Sequence, residues 1–139
     1  MKSLFITFLL GISASAMATY PDYSCGYKVE AVLYNETGAV RDDVKAEGTL
    51  ILKKFSRNIS QGKLDLQGER HYELEVVLEN NKVSVDFIRS PHNVNDINLN
   101  DGSNYVVYAS YETANLNKFK LDFGGNDGRV KLNCVKLTH

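Results

Sequence analysis

What the sequence lacks narrows its chemistry first. Charge of one sign is missing: 16 Lys and Arg stand against 17 Asp and Glu, a formal net charge of -1, so no excess basic field is available to hold a phosphate backbone and nucleic acid is not an expected partner. Long hydrophobic runs are missing too, the longest being Leu4 to Ile12, far below the roughly 20 residues that cross a bilayer as a helix. Cysteine is nearly absent, with two in 139 residues, and histidine is represented by His71, His92 and His139 alone. No GxSxG, HExxH, phosphate-loop or dinucleotide signature occurs, nor any CxxC pair, internal repeat or low-complexity tail, so the local patterns that announce common catalytic chemistries are not here. The remaining composition, 43% hydrophobic and 24% charged, is that of one ordinary globular domain.

The N-terminus reads as an address. Met1-Lys2-Ser3 carries positive charge, the apolar run follows, and Ala16-Met17-Ala18 supplies the small-x-small pattern of a cleavage site. Residues 1–18 are therefore expected to be a secretory signal peptide, leaving 19–139 as a single domain without a transmembrane segment. Cys25 follows Asp22-Tyr23-Ser24, polar neighbours unlike those of a lipid-attachment cysteine. In an oxidising compartment Cys25 and Cys134, near the two ends of that domain, pair most simply as one disulfide; free thiols or a metal pair are the alternatives, without CxxC spacing or an adjacent histidine to support them.

The apolar period is two almost everywhere, with Val, Ile, Tyr, Phe and Thr filling runs between Gly, Asn and Asp clusters, which predicts an all-β fold. Cys25, Tyr27, Val29, Ala31 and Leu33 share the inner face of a first strand. A polar connection over 35–43, a strand over 44–55, a loop over 56–62 and a short strand over 63–67 follow. The residues from Arg70 to Ile88 form a hairpin around Asn80-Asn81, since Asn tolerates the positive φ of a two-residue turn. Its register sets Leu78 against Val83, Val76 against Val85 and Leu74 against Phe87 inside, with Glu79 against Lys82 outside. A last hairpin around residues 125–128 pairs Phe123 with Val130, Leu121 with Leu132 and Phe119 with Cys134, which turns Cys134 inward as Cys25 is. The expected architecture is a single antiparallel β-sandwich or closed meander barrel of about seven or eight strands, its first and last strands tied by the disulfide.

Candidate chemistry is sparse. The hairpin register places Glu75 opposite Asp86 with Glu73 on the same outer face: a site for a cation or a basic partner, a carboxylate pair with one raised pKa that can act as an acid, or a solvated face with a Lys from the neighbouring strand between the acids. The connection from Arg89 to Asn104 is long and rich in Asn, as functional loops often are; His92, Asn93, Asn95, Asp96, Asn98, Asn100 and Asp101 are its candidate contacts. Residues 96–102 alternate oxygen side chains like a calcium loop, but Asp101 stands at the position that wants Gly and Val107 where a bidentate Glu is needed. Tyr105, Tyr108 and Tyr111 enrich one strand with large, rigid surfaces bearing a polar tip; alternation predicts Tyr105 and Tyr111 on one face and Tyr108 on the other, and the adjacent Val106 and Val107 suggest two covered faces. Asn35-Glu36-Thr37 and Asn58-Ile59-Ser60 are acceptor triplets that matter only in a glycosylating host.

Tyr23-Ser24-Cys25 behind a signal peptide and Asn133-Cys134 near the chain end faintly resemble the plan of small periplasmic inhibitors of c-type lysozyme. The likeness is confined to the two ends, and of the Ser-Gly-x-x-Tyr segment those inhibitors insert into the enzyme cleft only Ala109-Ser110-Tyr111 is present, without the Gly. No inhibitory residue is carried across. The expectation is an exported, non-enzymatic module that binds an envelope or extracellular protein or glycan through the 89–104 connection and the Tyr-rich strand, with no metal or cofactor. A hydrolase inhibitor and a small carboxylate-dependent hydrolase are the alternatives, and a structural component whose exposed edges pair between copies is a third class.

Overall fold

A computed structural model describes residues 22–34, 37–90 and 104–138. Among them are eight strands: β1 (Tyr23–Tyr34), β2 (Val40–Ser56), β3 (Ile59–Gln67), β4 (His71–Glu79), β5 (Lys82–Arg89), β6 (Tyr105–Glu112), β7 (Lys118–Gly124) and β8 (Gly128–Lys136). They form one antiparallel sheet in the order β6-β5-β4-β3-β2-β1-β8-β7. Sequence neighbours pair from β1 to β6 and from β7 to β8, and β8 returns to pair with β1. The result is the meander-barrel variant of the expected fold, laddered all the way round except between β6 and β7. Residues 1–18, read from the sequence as a signal peptide, lie outside the described residues.

The two predicted hairpin registers are the observed ones. Leu78 pairs with Val83, Val76 with Val85 and Leu74 with Phe87, and the turn between them holds Asn80 at φ 57°. In the last hairpin Phe123 pairs with Val130, Leu121 with Leu132 and Phe119 with Cys134, closed by the Gly125 N–H donating to the Gly128 carbonyl at 2.9 Å. Cys25 lies directly opposite Cys134 across β1 and β8, and the two form a disulfide. The interior is filled by side chains. Tyr72, Phe87, Leu52, Leu74, Val76 and Val85 are among those wholly withdrawn from water, and Tyr72 and Phe87 pack ring to ring at 5.6 Å. Burial of such side chains at roughly 1.5–3 kcal/mol each is the main force holding the barrel together.

Sequence reading fails where inward positions carry no apolar side chain. The predicted 56–62 loop is mostly strand: β3 begins at Ile59, and Ser60 and Gly62 face inward opposite Leu78 and Val76. A methyl group at Gly62 would sit 2.6 Å from the Ile51 carbonyl oxygen, so only glycine lets β3 lie this close to β2. At the other end of β3, Asp43 stands out of the β1–β2 register beside a bulge at Ala31 and Val32 and turns the chain from β3 into β4. Its carboxylate accepts from the Glu69 N–H at 2.6 Å, the Arg70 N–H at 3.1 Å and the Tyr72 hydroxyl at 2.6 Å. Partial burial opposes its charge, but these donors and nearby Arg41 outweigh burial and hold its pKa below the ordinary carboxylate value. Arg89 completes the corner, its guanidinium 5.6 Å above the Tyr72 ring and donating to the Val32 carbonyl at 2.8 Å.

Candidate functional site

The Tyr-rich strand β6 departs from plain alternation. Phe87 pairs with Val107 but Ile88 with Tyr105, so Val106 is an extra residue in a bulge. That bulge explains why Val106 and Val107 are both buried: they are not two covered faces of a regular strand. It also corrects the predicted faces of the tyrosines. Tyr105 swings to the side of Tyr108, and the two rings meet edge to face at 5.6 Å, 39% and 62% exposed. Tyr111 points the other way, packs against the core and donates its hydroxyl to the Lys120 carbonyl at 2.7 Å; burial raises its pKa above the ordinary phenol value.

That hydrogen bond crosses the gap in the barrel. The Thr113 N–H bonds to the Asn81 carbonyl, and alternation from there directs the main-chain groups of Val107, Ala109 and Tyr111 toward β5 and those of Tyr108, Ser110 and Glu112 toward β7. From the Gly125–Gly128 bond the same count directs Lys118, Lys120 and Asp122 toward β6. Two half-paired edges therefore face each other without a ladder, spanned by a phenol. At one end the gap is shut by Val106 against Gly128. At the other, the 113–117 connection is tied down by Tyr23 donating to the Leu116 carbonyl at 2.8 Å and by the Lys136 N–H donating to the Asn117 carbonyl at 2.9 Å. Between them lies a groove of about 540 Å³ lined by residues 108–111 and 120–123. Phe123, paired as predicted, borders this groove and is 48% exposed because no strand covers that side of it.

The carboxylates behave differently from one another. Glu75 and Asp86 are directly opposite, as predicted, and the Lys63 ammonium of β3 lies 3.4 Å from Glu73 and 3.8 Å from Glu75. Asp86 is left out of this arrangement. Its Oδ1 is buried without a hydrogen-bond partner among the described residues, and desolvation followed by the Glu75 charge raises its pKa. Because its folded pKa lies above the unfolded one, near 3.9, its charged form costs stability at neutral pH, and the cost fades as pH falls through the folded pKa toward the unfolded value. Asp86→Asn is accordingly expected to stabilise the protein at pH 7 by up to about 1 kcal/mol, and to lose that advantage below about pH 4. Urea midpoints of both forms across that range test the sign.

A second hollow, of about 680 Å³, lies over β2, β1, β8 and β7 and is lined by Gly26, Thr49, Asn133, Lys28, Lys131 and Lys120 among others. Sequence reasoning missed it. The signal was present, because placing Cys25 opposite Cys134 also sets Gly26 opposite Asn133 and Lys28 opposite Lys131 in an antiparallel pair.

His92, Asn93, Asn95, Asp96, Asn98, Asn100 and Asp101, with the calcium-like 96–102 segment, lie outside the described residues. Among the described residues no three His, Cys, Asp or Glu side chains are grouped to hold a metal ion, and no helix is long and apolar enough to cross a membrane. No family profile, no curated protein and no solved structure matches the chain. The likeness to lysozyme inhibitors gains nothing from these comparisons.

Proposed function

We propose that the protein is an exported, non-enzymatic binding module that captures a protein partner at the β6–β7 seam, with Tyr105, Tyr108 and Phe123 as contact surface. The observation that carries the reading is an exposed aromatic pair next to a groove whose backbone edges lack a ladder. Exposed aromatics with polar tips are the side chains most often found as binding anchors, and unladdered main-chain groups offer a partner further hydrogen bonds. Export rests on the signal-like residues 1–18 and on the disulfide, which suits an oxidising compartment. The carboxylate-hydrolase alternative draws less support, since Glu75 and Asp86 line neither hollow described above and Lys63 already engages one of them.

The test is capture by the immobilised, oxidised protein from envelope extract and culture fluid, run beside a Tyr105→Ala/Tyr108→Ala form. Both rings are substantially exposed, so the melting temperature is expected to stay nearly constant, while retention of the partner falls tenfold or more. Equal retention by both forms would remove the tyrosine pair from the site.

A further inference from the structure

We infer that the outer face of β2, β1, β8 and β7 is a binding site for an acidic polysaccharide, seated in the hollow over Gly26 and held by Lys28, Lys131 and Lys120. This site adjoins the seam across β7: Lys120, Leu121 and Asp122 line both hollows, while Gly26, Lys28 and Lys131 line only this one.

Gly26 is the first indication. A glycine inside a strand weakens it and marks either close packing or the approach of something from outside. At Gly48 an added methyl group would meet the Tyr27 ring; at Gly62 it would meet the β2 backbone, and at Gly128 the β1 backbone. At Gly26 the nearest heavy atom is 3.9 Å away, and the residue is not among those with positive φ. Neither packing nor backbone conformation requires glycine there. What its missing side chain does is open a floor between Thr49 on β2 and Asn133 on β8.

Charge is the second. Lys28 and Lys131 face each other directly across β1 and β8, an arrangement that costs stability when nothing lies between them. Neither they nor Lys120 has a carboxylate within 4.0 Å among the described residues. Asp122, which stands opposite Lys131, is hydrogen-bonded to Arg129 at 2.8 Å. Glu47, opposite Lys28 on β2, also lines the hollow, as does Asp122, so Lys28, Lys131 and Lys120 outnumber the carboxylates there by one, whereas Glu73, Glu75 and Asp86 gather on the outer face of β4 and β5. An anion placed between Lys28 and Lys131 removes the repulsion that the fold tolerates.

The class of ligand follows from what surrounds those charges. Ammonium groups bind carboxylate, sulfate or phosphate as point charges, while the Thr49 hydroxyl and the Asn133 amide both donate and accept hydrogen bonds, as sugar hydroxyls require. The aromatic residue that lines the hollow, Tyr27, is partly buried against the core, so an exposed anchor typical of a protein partner is missing, and the volume lies in the range of small-ligand sites, enough for a short run of sugar rings.

The experiment titrates the full oxidised protein with dextran sulfate, polygalacturonate, neutral dextran and poly-L-glutamate, and sediments each variant to follow self-association. Binding of both acidic polysaccharides but not of neutral dextran is expected. Affinity should fall at least tenfold in Lys28→Gln/Lys131→Gln, and also in Gly26→Val, which changes no charge, fills the floor and keeps or raises the melting temperature. Absence of polysaccharide binding, or unchanged binding by Gly26→Val, overturns the proposal. Poly-L-glutamate binding as tightly as the polysaccharides at matched charge overturns the sugar assignment, and a self-associated form that Lys28→Gln/Lys131→Gln dissolves would give the face to a second copy of this chain. None of these outcomes bears on Tyr105 or Tyr108, so failure here and failure of the seam proposal are distinguishable.

Discussion

Reduction of the Cys25–Cys134 disulfide is expected to lower the stability of the folded domain by about 4–5 kcal/mol. The two sulfurs are 109 residues apart in sequence, so the bond closes a loop around almost the whole domain and restricts its unfolded ensemble accordingly. The chain-entropy cost of such a loop grows only logarithmically, which is why the figure sits near the upper end for disulfides without exceeding it. Topology adds to the effect. The bond joins β1 to β8, the one ladder that brings the last hairpin back to the meander, and it does so among fully buried side chains. Without the bond that long-range pairing must form against loop-closure entropy, and such contacts fold slowly. Urea unfolding of the oxidised protein, the reduced protein and Cys25→Ala/Cys134→Ala should show both unbridged forms with midpoints well below the oxidised one. Coincident midpoints would mean that the unfolded chain gains nothing from losing the tie. A loss of a few kcal/mol is a large share of a domain's usual 5–15 kcal/mol, and the fold is therefore expected to depend on an oxidising environment.

The all-β fold, the paired cysteines and both hairpin registers were legible because each rests on a local rule. A two-residue Asn turn fixes which residues oppose one another, and a slip by one would move every apolar side chain to the wrong face. Whether the strands close as a sandwich or a barrel was not legible, because that depends on how β6 meets β7, and nothing in either strand encodes a missing ladder. β3 was half hidden for the same kind of reason: Ser60 and Gly62 occupy inward positions that sequence reading reserves for apolar residues, and the closeness of β2 that calls for small side chains is visible only in space. The bulge at Val106 moved Tyr105 from one face to the other, since period-two counting has no place for an extra residue. Its sequence trace is the pair of valines, and two covered faces would leave the same trace. Lys63 between Glu73 and Glu75 needed only the assumption of a neighbouring β3. The Lys28–Lys131 pair needed one more step, the carrying of the β1–β8 register outward from the disulfide.

Gly128→Ala is expected to destabilise the protein by about 3 kcal/mol, while Gly125→Ala, three residues earlier in the same turn, should change stability by less than about 0.5 kcal/mol. In sequence the two glycines look equivalent, both belonging to a Gly-Asn-Asp-Gly loop. In the fold they are not. An added methyl group at Gly125 meets no heavy atom within 4 Å, and its φ is not positive. At Gly128 the same group meets the Glu30 carbonyl oxygen and a Val106 methyl group, with the Ala31 Cα 3.2 Å away. The first of these is backbone of β1 and does not rotate aside, so β8 must move off β1 at the pair Ala31 and Gly128 that begins their ladder. The second is the bulge residue that shuts one end of the β6–β7 seam. Adding Val106→Ala to Gly128→Ala should recover only the smaller part of the loss, because the carbonyl contact persists. Hydrogen exchange of the two single variants offers the sharper measurement. Gly128→Ala should speed exchange in β6 and in the first residues of β8 ahead of the rest of the barrel, and Gly125→Ala should leave both unchanged. Uniform acceleration across all eight strands in Gly128→Ala would show that the seam opens only when the whole barrel does.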